Sequence, residues 1–124
     1  MSIHEQASTE PRNNMTPLEY LACADREWEA GNHQEAAGLL WEGTKATFVA
    51  LAEERGLRYD DYLIDLAKAL EAEGSVHKWY YRGGLGVGKL MRDHAEMDVL
   101  EGYQLESTFD MARKFLVEQN GQPQ

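Results

Sequence analysis

The chain has 124 residues, 43% hydrophobic and 27% charged, the proportions of one globular domain with a modest core rather than of a disordered chain. A formal net charge of −10 disfavours general binding to nucleic acid, whose phosphates reward basic surfaces, and no apolar run approaches the ~20 residues that span a bilayer. The single cysteine, Cys23, excludes an intrachain disulfide, so a reducing cytoplasm is the expected setting.

Residues 1–15 are polar and lack the apolar stretch of a secretory signal. They read as a disordered tail ahead of a single helical domain over 16–119, with 120–124 as a frayed end. The first helix is announced by "TPLEYLACADREWEAG". Thr16 at the N-cap, Pro17 at N1 and Glu19 at N3 form a capping box. Leu18, Leu21, Ala22 and Trp28 recur near one face, and Gly31-Asn32 tolerates the left-handed turn that ends the helix. A second helix is expected from His33 to Arg55, with Ala37, Leu40, Trp41, Thr44, Phe48, Leu51 and Ala52 as a wide apolar stripe and Gly56 as the stop. So short a connection makes the two an antiparallel hairpin, with Trp28 and Trp41 packed inside it.

The third helix, "DDYLIDLAKALEAEG", has Asp60 or Asp61 as its cap, a seam of Leu63, Leu66, Ala67 and Leu70, and Gly74 as its end. A last helix starts near Asp98, where D-V-L-E offers another capping box, and carries Leu105, Phe109, Ala112 and Leu116 inward. Between these two lies "SVHKWYYRGGLGVGKLMRDHAEM". Val87, Leu90, Met91, His94 and Met97 keep helical spacing, so its second half is helical. Four glycines cost ~1 kcal/mol each against alanine in a helix, so a break or mobile segment is expected near Gly83–Gly88. Sustained alternation is absent, and the expected fold is all-α, an up-and-down bundle of four to five helices.

Residues 83–90, "GGLGVGKL", satisfy most of the phosphate-cradling pattern G-x-x-x-x-G-K-[ST]. A P-loop also needs a preceding strand, a parallel sheet and a Ser or Thr on Mg²⁺. Leu90 stands where the hydroxyl belongs and no strand is expected, so the match is a chance one. Two readings remain for the stretch: a bend where glycines let helices or subunits approach closely, or an anion site built from backbone N–H groups at a helix start. No Asp or Glu occurs from Gly74 to Arg92, whereas Lys78, Arg82, Lys89 and Arg92 do. With Trp79 and Tyr80, these four cations are the candidate ligand-binding residues, the rings offering a face on which a base can stack. The aromatics equally suit a core or an interface.

"YLACADREWEAGNHQEAAGLLWEGTKATFVALAEERG" resembles the opening hairpin of the HEPN superfamily, small helical bundles, and specifically its short stand-alone prokaryotic members. The shared pattern is an acidic helix, a Gly-polar turn at Gly31-Asn32, Ala36-Ala37, Leu40-Trp41, and Ala50 to Gly56. "RDHAEMDVLEGY" resembles their LHxNFYEG region, with His94 and Gly102 kept, and the likeness extends over Tyr20 to Glu118. It implies a four- or five-helix bundle, a homodimer, and either RNA cleavage by toxin-like members or partner binding by members without that chemistry. The implied partners are a small nucleotidyltransferase-like protein, as in toxin–antitoxin pairs, and RNA or a nucleotide.

The family's R-x4–6-H motif is not matched cleanly. Arg92 stands only two positions before His94, Lys89-x4-His94 substitutes a point charge for a planar guanidinium, and Arg26-x6-His33 falls in the opening hairpin. His94 is nevertheless the one catalytic candidate, as an acid/base with Lys89 or Arg92 on the phosphate; its place beside Leu90 and Met97 also suits a core histidine. No Glu-x-x-His pair suggests di-iron, one cysteine with scattered histidines makes no zinc set, and no cofactor is expected. Cys23, among alanines, reads as a small buried hydrophobe. "EAGNHQEAAGLLWEG" also resembles one tetratricopeptide hairpin, but no second copy follows and about three are needed. The leading expectation is a HEPN-like binding or accessory module without catalysis, engaging a protein or nucleotide through Trp79 to His94; the alternative is a metal-independent ribonuclease.

Overall fold

In the computed structural model, residues 15–121 are described, and all their regular structure is helical. The helices are α1 (Pro17–Glu29), α2 (His33–Arg55), α3 (Ile64–Ala72), α4 (Tyr80–Met97) and α5 (Gly102–Asn120). The expected tail, apart from Met15, lies outside the described residues, and Met15 packs against the core. Asn120, assigned above to a frayed end, is the last residue of α5, where its amide donates to Thr47 Oγ1 and to the Leu116 carbonyl.

The capping box at Thr16 forms as expected. Its hydroxyl accepts the Glu19 N–H at 3.2 Å, and Glu19 Oε1 accepts the Thr16 N–H at 2.9 Å, so two donors that a helix start leaves open are satisfied. Gly56 ends α2 in the left-handed region at φ 66°. Two other boundaries differ from expectation. Asp60 caps the turn before α3 rather than the helix, Oδ1 accepting the Tyr62 and Leu63 N–H groups, and α3 begins only at Ile64 after a left-handed Leu63. Asp98 opens no helix; it closes α4 in the left-handed region at φ 53°, and α5 starts at Gly102 after Glu101. Local spacing suggested a D-V-L-E box, but tertiary packing gave Asp98 the opposite end of the neighbouring helix.

The pairs in contact show how the helices run. Thr44 of α2 meets Gly88 and Gly38 meets Ala95, so α2 and α4 are antiparallel. Gly84 meets Phe115, and Tyr80 meets Glu118, so α4 and α5 are antiparallel too. Arg113 of α5 grips Asp25 of α1 with two bonds of 2.9 and 2.8 Å. Hence α1, α2, α4 and α5 form an up-and-down bundle, and α3 packs against α4 and one end of α2.

Two apolar clusters fill it. One joins Leu21, Leu40, Met91, Phe109 and Leu116; the other joins Trp41, Phe48, Leu66, Leu70, Leu85 and Phe115. All four seam residues expected in α3 and all four in α5 are buried. Trp28 and Trp41 do not share the hairpin interior. Trp28 stacks between His33 and Phe109, at 4.0 and 4.1 Å between centroids, and Trp41 belongs to the cluster under α3 and α4. Each hairpin tryptophan is drawn toward a helix that the hairpin alone could not reveal.

The expected break at the glycines is absent: α4 runs unbroken from Tyr80 to Met97. Two of the glycines explain why the helix tolerates them. A Cβ on Gly84 would lie 2.4 Å from the Phe115 ring, and one on Gly88 would lie 2.8 Å from Thr44 Cγ2. Close helix packing thus needs glycine at both sites. Of the two readings for this stretch, close approach is what the fold displays, without the bend.

Candidate functional site

The basic, aromatic segment folds around the start of α4. Trp79 precedes the helix in the left-handed region at φ 75°, a conformation that bulky residues rarely adopt. Glu71, at the end of α3, accounts for the arrangement. Its carboxylate accepts the Arg82 backbone N–H at 2.9 Å and Arg82 Nε at 2.8 Å, while the side chain is only 8% exposed. A carboxylate from another helix therefore caps the first turn of α4, where open N–H groups and the helix dipole attract negative charge. Desolvation, the largest single influence on Glu71, raises its pKa. The Arg82 bonds and charge, with the Trp79 backbone N–H, outweigh it and hold the group below its ordinary range.

Arg82 in turn lays its guanidinium 3.5 Å from the Trp79 ring centroid, with Lys78 Nζ at 5.6 Å. Trp79 stays 55% exposed. Tyr80 is half-buried; its hydroxyl donates to Glu118 at 2.9 Å and accepts from Gln119 at 3.2 Å. Burial foremost raises its pKa, with Glu118 adding to the rise and the Gln119 bond opposing it. Tyr81 is core.

The other expected residues do not converge on this cluster. Arg92 bonds Asp93 through Nε and Nη2 and sits 5.5 Å from the Trp41 ring. Lys89 is half-buried midway along α4. His94 lies about 21 Å along the helix from Tyr80 and, at ~100° per residue, some ~140° around it from Lys89. The imidazole is 1% exposed. Its Nδ1 accepts the Leu100 N–H at 3.1 Å, which puts the ring proton on Nε2, 3.7 Å from Asp98 Oδ1. These contacts tie the α4–α5 turn, with the His94 carbonyl also accepting from Gln34. That is the core-histidine arrangement weighed in the sequence.

Glu71 is the residue that sequence reasoning missed. Nothing in "LEAEG" signals that it reaches Arg82, because the partnership depends on how α3 docks. Its consequence is chemical: the place where an anion would meet the N–H groups of α4 already holds a carboxylate. Among the described residues no group of three or more His, Cys, Asp or Glu is placed to hold a metal. Cys23 is half-buried and accepts from Arg26 Nη2 at 3.1 Å. A surface hollow of ≈ 440 Å³ lies away from this cluster, lined by residues that include Gln34, Glu35, Gly38 and Glu42.

The outer face of α4, with Trp79 just before it, carries exposed apolar side chains. Trp79, Leu90 and Met97 are 55, 42 and 64% exposed. Between them Gly83 and Gly86 are exposed, and a Cβ on either would meet nothing within 4 Å. No helix of the described residues is long and apolar enough to cross a membrane. No protein-family model matches the chain, and neither a curated protein nor a solved structure matches it.

Proposed function

We propose that the chain is a HEPN-like binding module without catalysis of its own, and that it engages a protein partner through the outer face of α4. The observation that carries this reading is the uncovered strip of Trp79, Gly83, Gly86, Leu90 and Met97. Exposed aromatic and long apolar side chains with open glycine hollows suit a protein surface, which seats knobs in such hollows. A nucleotide or RNA phosphate is less well served, since Arg82 and the first turn of α4 are engaged by Glu71. Buried His94, turned away from Lys89, weighs in the same direction against a ribonuclease. The small nucleotidyltransferase-like protein implied by the resemblance is one protein that this face would serve.

A photo-crosslinking amino acid at Lys89, on the flank of the strip, tests the reading in cells. The expected result is a protein adduct, absent when the same group replaces Met111 on α5. No protein adduct at Lys89, or an equal one at Met111, would overturn it.

A further inference from the structure

We infer that the occupant of the outer face of α4 is one amphipathic helix of another protein, apolar along a seam and acidic beside it. The inference rests on the reading of that face as a protein-contact surface and names the chemistry of what it contacts. Spacing is the first support. From Trp79 the outward positions run Gly83, Gly86, Leu90, Asp93 and Met97, in alternating steps of four and three. The Trp79 carbonyl accepts the Gly83 N–H at 2.7 Å, so the tryptophan backbone joins the helical register although it precedes α4. Such alternation is the seam on which a second helix seats knobs in holes. A strand, with its period of two, has no matching repeat. The opposite side of α4, with Tyr81, Leu85, Gly88 and Met91, is spent on its own bundle. The helix thus carries two packing faces, and the described residues fill one.

Shape is the second support. Gly83 and Gly86 stand between Trp79 and Leu90, and a Cβ on either would meet nothing within 4 Å. Unlike Gly84 and Gly88 they serve no packing among the described residues, although glycine disfavours a helix. They lie ~4.5 Å apart along the axis, and together they leave a hollow floored by backbone that one leucine-sized knob fills. Charge then sets the partner's edge. At ~100° per residue, Arg82 and Lys89 fall on one side of the seam, while Tyr80 and Val87 border the other. Lys78 Nζ lies 5.6 Å from the Trp79 ring. Glu71 already holds Arg82, but Lys78 and Lys89 form no ion pair among the described residues. A basic flank in a chain of net charge −10 selects a helix with Asp or Glu along that edge and rejects one with Lys there.

Two fluorescein-labelled synthetic helices of about three heptads test this. Both carry leucine along one seam of an alanine-rich helix; one has glutamate on the flanks, the other lysine. Each is held at nanomolar concentration, against self-association, while the purified full chain is titrated in and anisotropy is read. The expected outcome is saturable binding of the glutamate helix, with a Kd at least about tenfold below that of the lysine helix. That Kd rises about tenfold or more in Leu90→Asp and in Gly86→Leu, with helical circular dichroism unchanged. In Lys89→Glu the preference for glutamate over lysine shrinks, a change that mere loss of fold would not produce. No binding of the glutamate helix, equal binding of both, or indifference to Leu90→Asp and Gly86→Leu would each overturn the inference. The adduct formed at Lys89 in cells separates this assignment from the reading beneath it. An adduct that maps to a loop, a strand or a second copy of this chain leaves the protein-contact reading standing, and this assignment falls. If Lys89 captures no protein, the reading of the face has itself failed.

Discussion

Four glycines within six residues of one helix allow the same substitution to be read with opposite signs. Replacing glycine by alanine in a helix gains up to ~1 kcal/mol from propensity wherever the methyl has room. Gly83 and Gly86 have room, with nothing within 4 Å. Gly84 does not: its methyl would sit 2.4 Å from Phe115 Cδ1 and Cε1. The ring must move by about 1 Å to restore ordinary contact, and it is caged by Phe48, Tyr80 and Tyr81 at 5.7, 5.5 and 6.4 Å between centroids. Overpacking of that kind costs ~1–3 kcal/mol, and with a Cβ this close to three atoms of a caged ring the cost falls in the upper half of that range, so the balance for Gly84→Ala is a loss of up to ~2 kcal/mol. Gly88→Ala presses on Thr44, whose hydroxyl is held at 2.8 Å by the Leu40 carbonyl, and loses a similar amount. At ~4–8 °C per kcal/mol for a domain near this size, the two pairs should separate in Tm by several degrees on either side of the unsubstituted chain. Thermal unfolding followed by tryptophan fluorescence at sub-micromolar concentration reads the single chain without association. A Gly84→Ala chain as stable as its parent, or a Gly83→Ala chain clearly weaker, would refute this account of the glycines.

Two further outcomes follow from the ionisable groups. Glu71 has a folded-state pKa below its ordinary value of 4.5; its contribution is present above that value and is lost as pH falls through the lower folded one. Glu71→Gln should therefore flatten the acid limb of the stability profile below pH 4.5, as read by urea unfolding across pH, and a limb of unchanged slope would contradict the capping role. Removing the His94 side chain leaves a cavity and an unpaired Leu100 N–H, so His94→Ala should lose ~2–4 kcal/mol in the same unfolding assay. Neither it nor the parent should cleave RNA in EDTA at low salt; cleavage by the parent that vanishes in the variant would restore the enzyme reading.

Elements with strong local signals were legible in the sequence: the capping box at Thr16, the stripe of α2, the stop at Gly56, and the inward faces of α3 and α5. Glycine propensity misled at α4, because it counts the cost of each glycine and cannot count the packing against Phe115 and Thr44 that offsets it. The same blindness moved Asp98 and Asp60 from helix starts to turn positions. For the candidate site, composition gathered Lys78, Trp79, Arg82, Lys89, Arg92 and His94 into one stretch, but a helix distributes such a stretch along its length and around its axis. Only the cluster at its start remains together, and its organiser, Glu71, is contributed by another helix. The uncovered strip also escaped notice, since exposure of Gly83 and Gly86 is decided by which side of α4 faces α2 and α5.

The Glu71–Arg82 link closes a ring of chain from the end of α3 to the first turn of α4, and Arg55–Glu73, at 2.7 Å, pins the same region to the end of α2. Unwinding α3 removes the carboxylate from the Arg82 N–H, so the start of α4 cannot keep its protection while α3 is open. In hydrogen exchange the amides of Leu66 to Leu70 and of Arg82 should consequently report one shared opening event, a cooperative unit spanning two helices and the turn between them. The middle of α4, held by Gly84 and Gly88 against its neighbours, belongs to the slower-opening remainder of the bundle.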